Sequence, residues 1–263
     1  RISAVIPFHN EEGALPSLLH ALEDVLAAQP IASEVLLVDD CSTDRSAELA
    51  DAFCAEHPRS RLIRLARRGG QTGDFAAAFA QARGAYIIRM DADGQDDPRD
   101  LPLFLERIDA GAELVMGLRH RRKHKKFLRV ASAVYDLIIL ILFDTPLHSN
   151  SGSFIAFKTE LVQNIPWRPN DHRYLPLIAM RRGAQQPSEV LVRHGERQYG
   201  RSKYHPVQKL FLGLPELLGV LWRLHRGVYD LTATHAGEGN QSHADPVLGQ
   251  GRESAGHAPG PGR

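Results

Sequence analysis

Short apolar runs alternate with stretches of helical spacing through the first half of this chain. "ISAVIP" is the first such run. After it, Asn10 is placed to cap a helix in which Leu15, Leu18, Leu19, Leu22, Val25 and Leu26 recur at helical intervals. "SEVLLV" (Ser33–Val38) reads as a second strand and ends at Asp39-Asp40. Ser42 and Thr43 are placed to cap the next helix, whose Ala47, Ala50, Phe53 and Cys54 share a face. "RLIRL" (Arg61–Leu65) predicts a third strand, followed by the glycine-rich turn "RRGGQTGD" and a helix of small residues. "AYIIRM" (Ala85–Met90) and "ELVMG" (Glu113–Gly117) predict the fourth and fifth strands, with a helix from Pro98 between them. This rhythm implies an α/β fold on a mainly parallel sheet, covered by helices on both faces.

The second half is less regular. A basic segment and an apolar helix lead to "SGSFIAF", which reads as a strand. A helix near Tyr174–Arg182 precedes another strand, "SEVLVRH". "HPVQKLFLGLPELLGVLWRLH" is helical in pattern, with Pro215 expected as a kink or break. From about Ala233 large apolar residues become scarce and Gly, His, Ser and Pro dominate, the composition of a disordered tail. The division expected is an α/β domain over 1–203, amphipathic helices over 204–232 that either pack in the core, the reading base rates favour, or lie in a membrane interface, and a disordered tail over 233–263. No stretch reaches the ~20 apolar residues of a membrane-spanning helix. Nor is a leader read at the amino-terminal end, where Arg1 runs straight into the first strand.

The formal charge of +1 over 263 residues hides an uneven distribution. "RHRRKHKKFLR" (Arg119–Arg129) is nearly all basic, which favours a phosphate-bearing partner, either nucleic acid or a lipid headgroup. A solvated loop competes with that reading. Nucleic acid is discounted, because one phenylalanine is the only aromatic interleaved with the cations. Two cysteines, Cys41 and Cys54, are too few for a disulfide scaffold and agree with a reducing compartment.

Candidate chemistry collects at strand ends, where ligands of open α/β sheets bind. "PFHNEE" (Pro7–Glu12), "DDCSTD" (Asp39–Asp44) and "DADGQDD" (Asp91–Asp97) all fall there. The last raises a physical question: carboxylates this close repel unless a cation, water or backbone donors offset them. A hard divalent ion prefers such oxygen donors. Asp96 and Asp97 are explained by the helix start at Pro98, but Asp91 and Asp93 precede it. The glycine-rich "GGQTG" has neither the Gly-Lys-Ser/Thr of a phosphate loop nor the Gly-x-Gly-x-x-Gly of a dinucleotide fold.

Taken in order, "VIPFHNEE", "VDDCSTD", "GGQTGDFAAAFAQARGAYIIRMDADGQDDP" and "VMGLRHRR" resemble the family 2 inverting glycosyltransferases. The branch they look like is the polyprenyl-phosphate glycosyltransferases, such as dolichyl-phosphate mannosyltransferases and bactoprenol glucosyltransferases. "EVLVRHGERQYGRSKYH" (Glu189–His205) is similar to that branch's R-x-x-G-x-S-K-Y signature, and the likeness covers roughly residues 1 to 210.

The resemblance implies a nucleotide-sugar-binding GT-A fold and a set of roles. Asp39 and Asp40 match the pair that holds base and ribose, with Pro7, His9, Glu11 and Gly70 beside the donor. Asp91 and Asp93 match the Asp-x-Asp pair that holds Mg²⁺ or Mn²⁺, with Gln95 a further oxygen donor. Arg119, Arg129 and Ser132 match acceptor-phosphate contacts, and Arg197, Ser202 and Lys203 match the signature that closes over the site. Asp91, Asp93, Arg119, Arg197 and Lys203 are the expected catalytic set. The implied reaction is inverting, metal-dependent sugar transfer from a UDP- or GDP-sugar to a polyprenyl phosphate at the inner, cytoplasmic face of the cell membrane. The partners implied are nucleotide sugar, lipid phosphate and membrane surface, with room for an integral-membrane partner protein. Two alternatives stand beside it: transfer to a soluble saccharide or protein acceptor, and a degenerate module that only binds nucleotide or lipid. Departures from the pattern occur at Arg68, Gly94, Asn150 and Ala156; Gly94 is expected to loosen the metal turn.

Overall fold

The computed structural model describes residues 1–119, 152–193, 195 and 206–231, apart from the side chains of 119 and 206–215. Seven strands form one sheet: β1 (Ile2–Phe8), β2 (Ser33–Asp39), β3 (Ser60–Arg64), β4 (Tyr86–Arg89), β5 (Leu114–Arg119), β6 (Ile155–Lys158) and β7 (Ser188–Val192). Their spatial order is β3-β2-β1-β4-β6-β5-β7. All neighbours run parallel except β6, which is antiparallel to both β4 and β5. Because β6 is reversed between them, β4 and β5 point the same way. The carboxyl ends of β1, β2, β4, β5 and β7 therefore share one edge of the sheet.

Alternate positions on the strands feed two cores, one on each face. Val5, Leu36, Val38, Ile87, Met116 and Phe157 line the face covered by α3 (Gly70–Gln81), α5 (Leu175–Arg181) and α6 (Pro206–His225). Ala4, Ile6, Val35, Leu37, Ile88 and Val115 line the other, under α1 (Leu15–Ala28), α2 (Ser46–Glu56) and α4 (Leu101–Asp109). Burial on both faces explains why the strands read as continuous apolar runs rather than as alternation.

Several local expectations are corrected. Asn10 does not cap α1, which starts at Leu15 without a side-chain cap. Instead Asn10 takes the left-handed conformation (φ 57°), and its side-chain oxygen accepts from the Thr43 amide at 2.7 Å. Ser42 and Thr43 do not cap α2 either; the Ser46 amide donates to the Asp44 carboxylate at 2.9 Å. The short polar side chains of both loops bond each other across the gap between β1 and β2 in preference to their own helices. Nor does Pro215 break α6, which is one helix from Pro206 to His225.

The carboxyl-terminal half of α6 is built into the first core through Leu217, Val220 and Leu224, with Tyr229 following. Leu218 and Trp222 on its other side are exposed. Among the described residues, no helix is long and apolar enough to cross a membrane.

Candidate active site

Two loops at the carboxyl edge are stitched to each other. The Asn10 amide donates to Ser42 Oγ, the Glu11 amide to Ser46 Oγ, and the Glu12 amide to the Asp44 carboxylate. In return the Arg45 amide donates to the Glu12 carboxylate. His9 sits at the start of the first loop, with Nδ1 2.8 Å from the Asp40 carbonyl. A carbonyl only accepts, so Nδ1 carries a proton, which leaves Nε2 as the ring's other hydrogen-bonding atom. Pro7 lies in β1, paired with Val38 of β2. Glu11 precedes α1 and receives the Ala14 and Leu15 amides on its carbonyl.

Asp39 and Asp40 end β2, both nearly buried. Asp39 accepts the Ser42 amide at 2.8 Å, closing the turn after β2. Asp40 turns the other way. Its carboxylate accepts the amides of Gly69 (2.6 Å) and Gly70 (3.1 Å) and lies 3.5 Å from the Arg68 guanidinium. The glycine-rich block is therefore the first turn of α3, not a free turn, and its amides are engaged by Asp40. Gly70 has φ +59°, a conformation open to glycine.

The same helical turn reaches two further places. Gln71 donates from Nε2 to Asp91 at 3.3 Å. Thr72 Oγ1 lies 2.7 Å from His172 Nδ1 and accepts the Asn170 amide at 3.2 Å. Burial, with Arg89 and Arg173 nearby, holds the His172 ring down at about 3, so it is neutral. Successive residues of α3 thus tie Asp40, Asp91 and the 170–172 loop into one assembly.

The acidic turn after β4 divides its carboxylates between structure and surface. Asp96 is buried and accepts the Asp91 amide (3.1 Å) and the Ser153 hydroxyl (2.8 Å). It is a buttress under Asp91, not the helix-start residue expected. Asp97 fits that expectation, accepting the Arg99 amide. Asp93 accepts the Gln95 amide at 3.1 Å, closing a local turn, and Asp91 and Asp93 remain partly exposed. Gly94 has φ +74°, a backbone shape that glycine suits.

Among the described residues, no group of three His, Cys, Asp or Glu is arranged to hold a metal. Two partly exposed carboxylates and an amide oxygen suit a hard cation that keeps water and phosphate as its other ligands, rather than an all-protein cage. The donor set fits Mg²⁺ or Mn²⁺ on those terms.

Four residues that the sequence reading did not single out brace this turn and the strand before it. Asp100, buried, accepts the Arg193 amide at 2.5 Å. Arg193, which follows β7, also ion-pairs with Asp97 and Asp100. The Gly195 amide donates to the Gln95 carbonyl at 3.1 Å. Residues 193 and 195, just after β7, are thereby fastened to the acidic turn. Arg89, in β4, is the fourth: its guanidinium donates to the carbonyls of Gly152, Ser153 and His172. A lone cation in "YIIRM" was the available signal for it.

Pro7, His9, Glu11, Asp39, Asp40, Gly70, Asp91, Asp93 and Gln95 are thus gathered at the ends of three neighbouring strands, β2, β1 and β4. Arg119 ends β5 on the same edge, two places beyond β4. Arg129, Ser132, Arg197, Ser202 and Lys203, with Asn150, lie outside the described residues. Ala156 sits in β6, fully buried and paired with Ile88, where a basic side chain would lose its solvation.

The profile of Glycosyl transferase family 2 matches residues 3–165. The chain belongs to that family. Similar proteins include the undecaprenyl-phosphate 4-deoxy-4-formamido-L-arabinose transferases of Pseudomonas aeruginosa and Yersinia enterocolitica. The first is 33% identical over 213 residues, covering 80% of this chain and 62% of its own length. The second is 32% identical over 208 residues, covering 78% and 62%. This family 2 glycosyltransferase chain therefore spans less than two thirds of those curated relatives.

Solved structures agree on the fold. Glucosyl-3-phosphoglycerate synthase from Mycobacterium tuberculosis, in complex with Mn²⁺, uridine diphosphate and glucosyl-3-phosphoglycerate, superposes with a TM-score of 0.60 at 18% identity, covering 89% of this chain and 80% of that one. S. aureus TarS 1–349, in complex with UDP-GlcNAc, gives 0.59 at 18%, covering 85% and 66%. The mixed, mostly parallel sheet with flanking helices is GT-A-like, as the sequence reading expects.

Proposed function

We propose that this chain carries the catalytic domain of a transferase that moves a sugar from a nucleoside diphosphate sugar to a polyprenyl phosphate. The observation that supports it most is the first turn of α3, which bonds both Asp40 and Asp91. A nucleoside-side carboxylate and a metal-side carboxylate are thereby held in one rigid unit, as a ligand with a base at one end and a pyrophosphate at the other requires. The lipid acceptor draws its support from the undecaprenyl-phosphate transferases among the relatives and from the basic run 119–129.

In this reading Pro7, His9, Glu11, Asp39, Asp40 and Gly70 hold the nucleoside, with His9 Nε2 the ring atom left to contact it. Asp91, Asp93 and Gln95 would hold Mg²⁺ or Mn²⁺, which supplies charge neutralisation to the departing nucleoside diphosphate. A phosphate oxygen of the lipid attacks the anomeric carbon from the face opposite the leaving group. The glycosyl–phosphate bond to the nucleotide breaks, its electron pair leaves with the diphosphate, and the configuration inverts. The attacking oxygen is already anionic at neutral pH, so this chain's carboxylates need not abstract a proton. Arg119, Arg129, Ser132, Arg197, Ser202 and Lys203 have the cations and hydroxyls to hold that phosphate close. A membrane-interface site follows from the acceptor's lipid chain, with α6 and the basic run as the contacts proposed.

Calorimetric titration with UDP and with GDP tests the donor side. One of the two binds in the presence of Mn²⁺, and affinity falls at least tenfold with EDTA or in Asp93→Ala. Equal affinity with and without metal would remove the role given to Asp91 and Asp93.

A further inference from the structure

α3 is rich in alanine and glycine, and Asp74 is its one charged residue. It lies one turn beyond the amides that hold Asp40. The residue is 3% exposed, and its Oδ1 is buried without a hydrogen-bond partner. The charged and titratable groups that face it are Asp39 and Asp40 at the end of β2, Cys41 just after them, and Arg68 before α3. Two of these are carboxylates, and the one cation, Arg68, is already engaged with Asp40. A buried anion placed here would meet repulsion from two sides and have no donor for Oδ1.

We propose that Asp74 is a positioning residue of the nucleotide site, carried as the neutral acid, whose ionisation sets the alkaline limit of nucleotide binding. The inference rests on the nucleotide reading above and deepens it. Burial first, then Asp40 and Asp39, push the carboxyl up to about 8. Loss of its proton adds a third negative charge beside Asp39 and Asp40. Relief comes by drawing Arg68 away from Asp40 or by opening the first turn of α3 to water. Either motion disturbs the Gly69 and Gly70 contacts with Asp40 and the Gln71 contact with Asp91, which span the donor site.

The test is the affinity for UDP and for GDP, each with Mn²⁺, at pH 7 and pH 9 in wild type and in Asp74→Asn. If only the protonated form binds, a group titrating near 8 weakens wild-type affinity about tenfold between those pH values. In Asp74→Asn the ratio of the two affinities stays near one, while ionisation of the nucleotide itself is common to both proteins. A wild-type affinity that does not change, or the same loss in Asp74→Asn, overturns the proposal.

A ligand-free measurement separates this inference from the nucleotide reading. Between about pH 4 and about 8 the folded chain holds the Asp74 proton and the unfolded chain does not. Wild-type stability therefore falls relative to Asp74→Asn as pH rises through that window, read as a widening gap in urea midpoints. A widening gap with no binding of either nucleotide condemns the nucleotide reading and, with it, the role in binding. A constant gap means Asp74 is not held protonated, and the inference fails by itself.

Discussion

At the level of single side chains, Asp96 and Asp97 part company although they are adjacent and chemically identical. Asp97 accepts the Arg99 amide at the start of a short helical turn, which its place before Pro98 foretells. Asp96 faces inward to Ser153, fifty-seven residues away, and that contact leaves no local trace in the sequence. Gly94 teaches the converse. Read along the chain it is a departure from a familiar pattern; in the fold it occupies φ +74° beside Gly195, whose added Cβ would come within 3.3 Å of the Gly94 carbonyl. Replacing Gly94 with Leu is expected to cost about 1–2 kcal/mol from left-handed strain. Chemical denaturation measures it. A neutral or stabilising substitution would mean that this turn adopts another conformation.

At the level of elements, the strands were legible because each is a compact apolar run bounded by polar turns, and burial on both faces left no ambiguity of period. Helix starts were less legible. Asn10, Ser42 and Thr43 are good caps by type, yet loop-to-loop pairing across β1 and β2 claims them. The carboxyl-terminal helix follows the core reading that base rates favour over the membrane interface. Its apolar pattern suits either site, and the fold places Leu217, Val220 and Leu224 of its carboxyl-terminal half in the first core. Its end is locked: the Tyr229 hydroxyl donates to buried Asp171 at 2.9 Å, and Arg223 donates to the same carboxylate at 3.0 Å. Burial pushes the Asp171 carboxyl up, against the pull of the Arg168 amide, Tyr229 and Arg223. Tyr229→Phe removes one of those donors and is expected to lower unfolding stability by about 1–3 kcal/mol. An unchanged urea midpoint would show that this end of the helix is not part of the cooperative unit.

At the level of the whole molecule, the sheet order places one half of the proposed site together and leaves the other half to segments beyond the described residues. The nucleotide and metal candidates converge because β2, β1 and β4 are neighbours, a fact of topology that the order of motifs along the chain does not itself contain. Acceptor candidates enter from β5 through Arg119 and from the stretch after β7, where Arg193 and Gly195 fasten the chain to the acidic turn. Residues 193 and 195 are thereby held beside the turn that carries Asp91, Asp93 and Gln95. The most direct measurement is transfer itself. Purified protein is incubated with a short-chain polyprenyl phosphate, Mg²⁺ or Mn²⁺, and radiolabelled UDP- and GDP-sugars, and label is counted in the organic phase. The account predicts label from one donor, abolished by EDTA and in Asp93→Ala. Nucleotide binding without any transfer of label to the lipid would contradict it.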